Sequence, residues 1–328
     1  MELLNPDFDW KKSINHIQLL SQYIIPNKLK IYDINYSQSR FNESCADAIN
    51  RFIQEGMLVN CEIFEIIYCV MKITELKEIS KNEGFNFGKT KSELVNNFIM
   101  FNYTKAQKIA SEYKVLKCSD LAKKFLDEYK AEELNQKKKV FQLFLEGAAK
   151  KGYDIFINYQ RNYDSKFQAD GFKLQKLDFI LNSNPKAIKN INNLDLKYLR
   201  AAACMEELWR NESAKKWLSE NLSYPDKNIK IAINYLKCNS EIKRLLVNQS
   251  DYFGKTKFKL IFDENDNDSC SLCRSLIDQV FDINNFPELP FENCTSEKGC
   301  QCELTIYDKD DEDDEDDSFY EDDCIYED

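Results

Sequence analysis

Histidine is almost missing: the chain has one, His16. That argues against Ser-His-Asp triads and against catalytic metal centres built on imidazole. Glycine and proline are scarce, at 8 and 6 in 328 residues. Few turn formers beside many Lys, Glu, Leu and Ile at helical spacing predict a mainly α protein. The chain has no uncharged apolar run of about 18 residues, so no membrane span is expected. Its opening "MELLNPDFDWKKS" lacks the basic-then-apolar order of a secretory leader, and a cytoplasmic location is expected. G-x-S-x-G, the kinase set and the dinucleotide fingerprint are absent as well. The carboxylates are too many for one pair to stand out. An enzyme is therefore not the leading expectation; a DNA-processing nuclease using only Asp, Glu and Lys is the second alternative.

The charge that is present is unevenly placed. The net charge is −11, but residues 308–328 hold 14 acidic residues and one lysine, a net −13. The rest of the chain stands at +2, which leaves room for a local basic patch facing an anionic partner. The acidic tail has too little apolar content to fold and reads as disordered and solubilising, or as a mimic of nucleic acid that limits non-specific binding.

Five regions follow from pattern and composition. Residues 1–70 read as helical, broken near Pro26 and Gly56, and His16 beside Ile17 and Leu19 reads as packing rather than chemistry. Residues 71–103 form a compact unit. Residues 104–250 are a helical body, with Ser119 and Asp226 as N-cap candidates and an Asn-rich loop at 181–195. Residues 251–307 are cysteine-rich and open on a strand at "TKFKLIF". Residues 308–328 are the tail.

"FGKTK" occurs twice, at Phe87–Lys91 and at Phe253–Lys257. Neither copy fits a nucleotide loop, which needs four residues between its glycines, an apolar strand before and a helix behind. Gly84 and Gly88 have three residues between them and follow a charged amphipathic segment. The first copy instead predicts helix, tight loop, helix. Gly84 is placed as a C-terminal stop, and Thr90-Lys91-Ser92-Glu93 is a capping box. Ile73, Leu76 and Ile79 give the first helix its apolar side; Leu94, Val95, Phe98 and Ile99 give the second its own.

"ITELKEISKNEGFNFGKTKSELVNNFI" resembles a SAP domain, a helix–extended loop–helix module that commonly binds DNA. The matching residues are Glu75-Leu76-Lys77, Gly84-Phe85, Thr90-Lys91 and Glu93-Leu94-Val95. Lys89 stands where that family usually has its loop glycine. The resemblance implies DNA contact by the loop and the start of the second helix. From the resemblance, the helix N-terminus and the lysines around it, Lys77, Lys81, Lys89, Thr90 and Lys91 are the nucleic-acid candidates, with Lys72 beside them. Protein partners are the other use of such a module.

The second copy runs into a strand and then into Cys270-x2-Cys273, followed by Cys294, Cys300 and Cys302. A CxxC pair completed by a second pair across a loop is the ordinary structural Zn2+ arrangement. Five cysteines stand for four ligand places, so the set stays open. Reduced structural cysteines, a redox pair and an iron–sulfur site are the other readings. Cys45, Cys61, Cys69, Cys118, Cys204 and Cys238 lie in apolar helical contexts and read as buried thiols. The string from Cys270 to Cys302, with Val280-Phe281, Pro287, Pro290 and Cys300-Gln301-Cys302, resembles the cysteine–proline C-terminal segment of phage minor head proteins. That likeness implies a protein-interaction or assembly factor, the first alternative to non-enzymatic DNA binding.

Overall fold

The structure, a computed structural model, describes residues 9–29, 41, 43–85, 88–164, 167–209, 212–218, 222–247, 257–261, 271–276, 279–282, 287, 289–293, 295 and 303–307. The architecture is mainly helical, as composition predicts. The chain divides into two compact units, Met1–Asn135 with Tyr159–Phe167 and Gln136–Asn158 with Gln168–Asp328.

In the first unit, a 3-10 turn (Trp10–Lys12) and α1 (Ile14–Ser21) are followed by β1 (Asn27–Lys28) and α2 (Cys45–Gln54). The segment from Cys45 to Lys72 does not run as one broken helix. Gly56 adopts a φ of +71°, which a side chain resists, and the chain turns there into β2 (Leu58–Asn60). Helix returns in α3 (Ile63–Val70). β3 (Val115–Cys118) is the centre of a small antiparallel sheet, pairing Asn27 with Leu116 on one side and Leu58 with Cys118 on the other. Trp10, Leu20, Phe52, Leu58, Leu116 and Leu126 pack together over this sheet.

α4 (Ile73–Glu83), α5 (Lys91–Phe101) and α6 (Tyr103–Ser111) complete the unit's helical cluster with α3. Ile67, Leu76, Phe85, Leu94, Val95, Phe98, Ala106 and Ala110 form one core across all four helices. The apolar core around the SAP-like stretch is thus wider than 71–103, by one helix on each side.

α7 (Asp120–Leu145) starts at Ser119, whose hydroxyl accepts the Ala122 N–H at 3.2 Å, as its N-cap position predicts. It stops at Gly147, φ +78°, before α8 (Ala149–Tyr163). The division between the units falls inside these two helices.

In the second unit, α9 (Gly171–Asn182), α10 (Asn193–Leu208) and α11 (Asp226–Val247) pack pairwise. Asp226 is the first residue of α11 rather than its cap. Lys176 of α9 joins Glu207 of α10 at 3.2 Å and Glu241 of α11 at 3.1 Å. Lys137 donates to Glu212 at 2.6 Å, both nine-tenths buried, with the ammonium 5.5 Å from the Trp209 ring centre. A second antiparallel sheet has the order β5 (Val280–Phe281), β4 (Lys257–Ile261), β6 (Glu303–Tyr307). β4 is the strand expected from "TKFKLIF", and Phe258 is its buried side chain. The segment carrying the prolines is tied to the helices: Asn239 donates to the Leu289 carbonyl at 2.8 Å, and Leu289 is buried.

Candidate nucleic-acid interface

The stretch 71–103 is built from its caps outward. Gly84 ends α4 with a left-handed φ of +78°, its N–H on the Ser80 carbonyl. The buried Ser80 hydroxyl donates to the Phe85 carbonyl at 2.8 Å and fixes where the chain leaves the helix. The capping box of α5 forms as its sequence predicts. Thr90 Oγ1 accepts the Glu93 N–H at 3.2 Å, and the Glu93 carboxylate accepts the N–H groups of Lys89 at 2.6 Å and Thr90 at 3.3 Å. Glutamates at the same position serve α3 and α4: Glu65 accepts the Glu62 N–H and Glu75 the Lys72 N–H.

Gly88, one residue early for the SAP pattern, has a steric reason to be glycine. A Cβ there would stand 2.4 Å from the Glu93 Cβ and 2.8 Å from the Leu94 nitrogen. The loop therefore returns tightly against the first turn of α5.

Contacts at both ends set the direction of the helix pair. Lys91, first in α5, places its ammonium 4.7 Å from the centre of the Tyr68 ring, just before the start of α4. At the other end, Phe85 lies 6.0 Å from Phe98 and 5.4 Å from Phe101, and Glu83 pairs with Lys105 just beyond α5. α4 and α5 thus run in broadly the same direction. The positive ends of two helix dipoles share one end of the cluster.

This arrangement sorts the candidate residues. Lys89, Thr90 and Lys91 sit together at the shared end, and exposed Lys72 opens α4 there. Lys77 and Lys81 project further along α4; at about 1.5 Å per residue Lys81 is roughly 12 Å from the first turn. Lys77, Lys81 and Lys89 are exposed, and their ammonium groups have no partner among the described residues. Lys91 is half-buried and held at Tyr68. Tyr68 is the residue the sequence hides: in "IFEIIYCV" it reads as core, yet the residue is 43 % exposed. The Glu93 carboxylate accepts the Lys89 and Thr90 amides just before α5, and its negative charge offsets the positive helix end, so the lysines carry the attraction for an anion. The stretch 71–103 holds five lysines against four glutamates, one net positive charge.

Glu65 anchors the cluster to β3. It accepts from Lys117 at 2.5 and 2.7 Å. Burial pushes the Glu65 carboxyl up, but the hydrogen bonds from Lys117 and the Glu62 N–H, with the Lys117 charge, hold it below its ordinary 4.5.

Other sequence candidates fall as follows. His16 is wholly buried; its ring joins Ser13 Oγ and Glu43 Oε1, each at 2.7 Å, beneath Phe41 and Phe52. No substrate reaches that ring, and its role is packing. Of the cysteines read as buried thiols, Cys45, Cys61, Cys118 and Cys204 are buried, whereas Cys69 and Cys238 are partly exposed. Their contexts are not all helical: Cys118 ends β3 and Cys61 precedes α3. Burial pushes the thiols of Cys61 and Cys118 up to about 11, so neither is a thiolate at neutral pH. The recess at the start of α9, about 460 Å³, is lined by Gly171, Phe172, Leu174 and Gln175, and among the described residues no acid or base lines it.

Of the metal candidates, Cys273 lies in the short helix α12 (Ser271–Arg274), and Cys270, Cys294, Cys300 and Cys302 lie outside the described residues. Among the described residues no group of His, Cys, Asp and Glu could hold a metal ion. No described helix is long and apolar enough to cross a membrane. The tail, 308–328, and residues 253–256 of the second FGKTK also lie outside the described residues.

No family model, curated protein or solved structure matches this chain.

Proposed function

We propose that this chain is a non-enzymatic DNA-binding protein that grips the phosphate backbone from the shared end of α4 and α5 along α4. The observation that carries the reading is the exposed set Lys77 and Lys81 on α4 and Lys89 before α5, whose ammonium groups have no partner among the described residues. Lysines on phosphates give affinity with little sequence preference. The test is a salt series on duplex and single-stranded DNA. Changing Lys77, Lys81 and Lys89 together to Glu should weaken binding at low salt and flatten the plot of log affinity against log salt by about one per lost phosphate contact. A wild-type protein with no salt-dependent binding overturns the reading. It would also turn attention to the assembly alternative, which Met100, Phe101 and Tyr103, all largely exposed at the α5–α6 junction, would serve.

A structural Zn2+ site in the C-terminal module belongs to the same proposal, with Cys270, Cys273, Cys294, Cys300 and Cys302 supplying four thiolates. What favours it is the spacing, a CxxC pair at Cys270 and Cys273 followed across a loop by Cys294, Cys300 and Cys302. Protein purified without chelator should carry one zinc per chain, and Cys273→Ser should lose it. Metal-free wild-type protein counts against the site.

A further inference from the structure

We propose that Tyr68 is a stacking platform for an unpaired base, and that the DNA held at the α4–α5 end is single-stranded. The inference rests on the phosphate-backbone reading above and narrows its ligand. Three observations lead to it. Tyr68 exposes its ring at the end of α3 while its neighbour Ile67 is fully buried. Lys91 stands over that ring at 4.7 Å, and exposed Lys72 and Lys89 lie at the same end of the helix pair. Phe64, one turn earlier on α3, stacks beside Tyr68 at 6.0 Å with 30° between the planes, which extends and stiffens the aromatic surface. An exposed aromatic side chain with a lysine against it, and further lysines on the same end of the helix pair, is the arrangement that single-strand binding uses.

Magnitudes separate single strand from duplex. Duplex DNA presents one charge per about 1.7 Å, and its affinity comes mainly from the number of phosphates neutralised. With four glutamates beside five lysines, this stretch is poorly supplied for that. A base stacked on an aromatic ring is worth about 1–3 kcal/mol, independent of net charge. Only an unpaired strand can deliver that base while Lys89 and Lys91 hold the flanking phosphates. A base that stacks on Tyr68 takes the ring face Lys91 now covers, and the displaced ammonium is then free for a phosphate.

Fluorescence anisotropy on a labelled single-stranded oligonucleotide and its duplex, at low and raised salt, tests the inference. The wild type should prefer the single strand by about tenfold, equal to about 1.4 kcal/mol. Tyr68→Ala should cut that preference about tenfold at both salts, and Tyr68→Phe should restore it. Ultraviolet crosslinking of the wild type should place the unpaired strand on the peptide that contains Tyr68. Equal or tighter duplex binding, or a preference that Tyr68→Ala leaves intact, overturns the inference while the phosphate-backbone reading stands. Binding to neither nucleic acid removes both.

Discussion

The same five residues, Phe-Gly-Lys-Thr-Lys, lead into a helix at one place and a strand at another. Lys91 opens α5; Lys257 opens β4. The pentapeptide therefore decides nothing, and its surroundings decide everything. After the first copy come Ser92 and Glu93, and Glu93 reaches back to two loop amides; Leu94, Val95 and Phe98 then follow at helical spacing. After the second come Phe258, Lys259 and Leu260, an alternation that pairs with β5 and β6. Capping chemistry selects one outcome, and strand partners with a buried ring select the other.

The comparison breaks most sharply at the cores. Phe258→Ala should cost about 3–5 kcal/mol, read as loss of amide protection in β4 and β6, because the ring is 1 % exposed at the centre of its sheet. At the first copy the matching weak point is a glycine rather than an aromatic. Gly88→Ala must push Cβ into the Glu93 side chain and the Leu94 nitrogen, so the chain must move. A loss of about 1–3 kcal/mol in thermal or denaturant unfolding of the α3–α6 cluster is expected. An unchanged melt for Gly88→Ala would mean the loop does not return against α5.

Much of this was legible in the residues. Gly84, Thr90 and Glu93 each have a specific backbone job, and residue types in that order announce a stop and a cap by themselves. "KFKLI" announces a strand by alternation. The sheet β1–β3–β2 was hidden because its strands are two to four residues long, too short to show a period of two. Cys118 and Leu116 look helical in sequence because long helices flank them. Tyr68 was hidden for a different reason: in an apolar run, one exposed ring has no signature until Lys91 is seen over it. The direction of α4 relative to α5 likewise depends on Phe85 meeting Phe98 and Phe101, which no local pattern encodes.

Glu93→Gln sharpens the comparison at the cap itself, where the second copy has Lys259 two residues on from its last lysine. The amide keeps an acceptor for the Lys89 and Thr90 N–H groups but loses the charge that complements the helix end. Stability should fall by about 0.5–1 kcal/mol. Under the proposed function, DNA affinity should move the other way, since a negative charge beside Lys89 and Lys91 is removed. Stability and affinity falling together would show that the cap positions the lysines more than it repels phosphate.

The smallest effect separates the capping glutamates from one another. Glu65 holds α3 as Glu93 holds α5, but it also pairs with Lys117. Its carboxyl lies below 4.5 in the folded chain, so its stabilisation is present above the unfolded value and is lost as pH falls through the lowered folded one. The Lys117 ammonium, raised above its ordinary 10.5 chiefly by the hydrogen bond to Glu65, contributes below 10.5 and is lost as pH rises beyond that. The stability gap between wild type and Glu65→Gln should therefore be flat between about pH 5 and 10 and close in acid. Its plateau should stay within about 1 kcal/mol, because the pair is partly open to solvent. Denaturant midpoints across pH 3–7 measure it, and a gap that persists at the acid end would assign Glu65's role to packing rather than to charge.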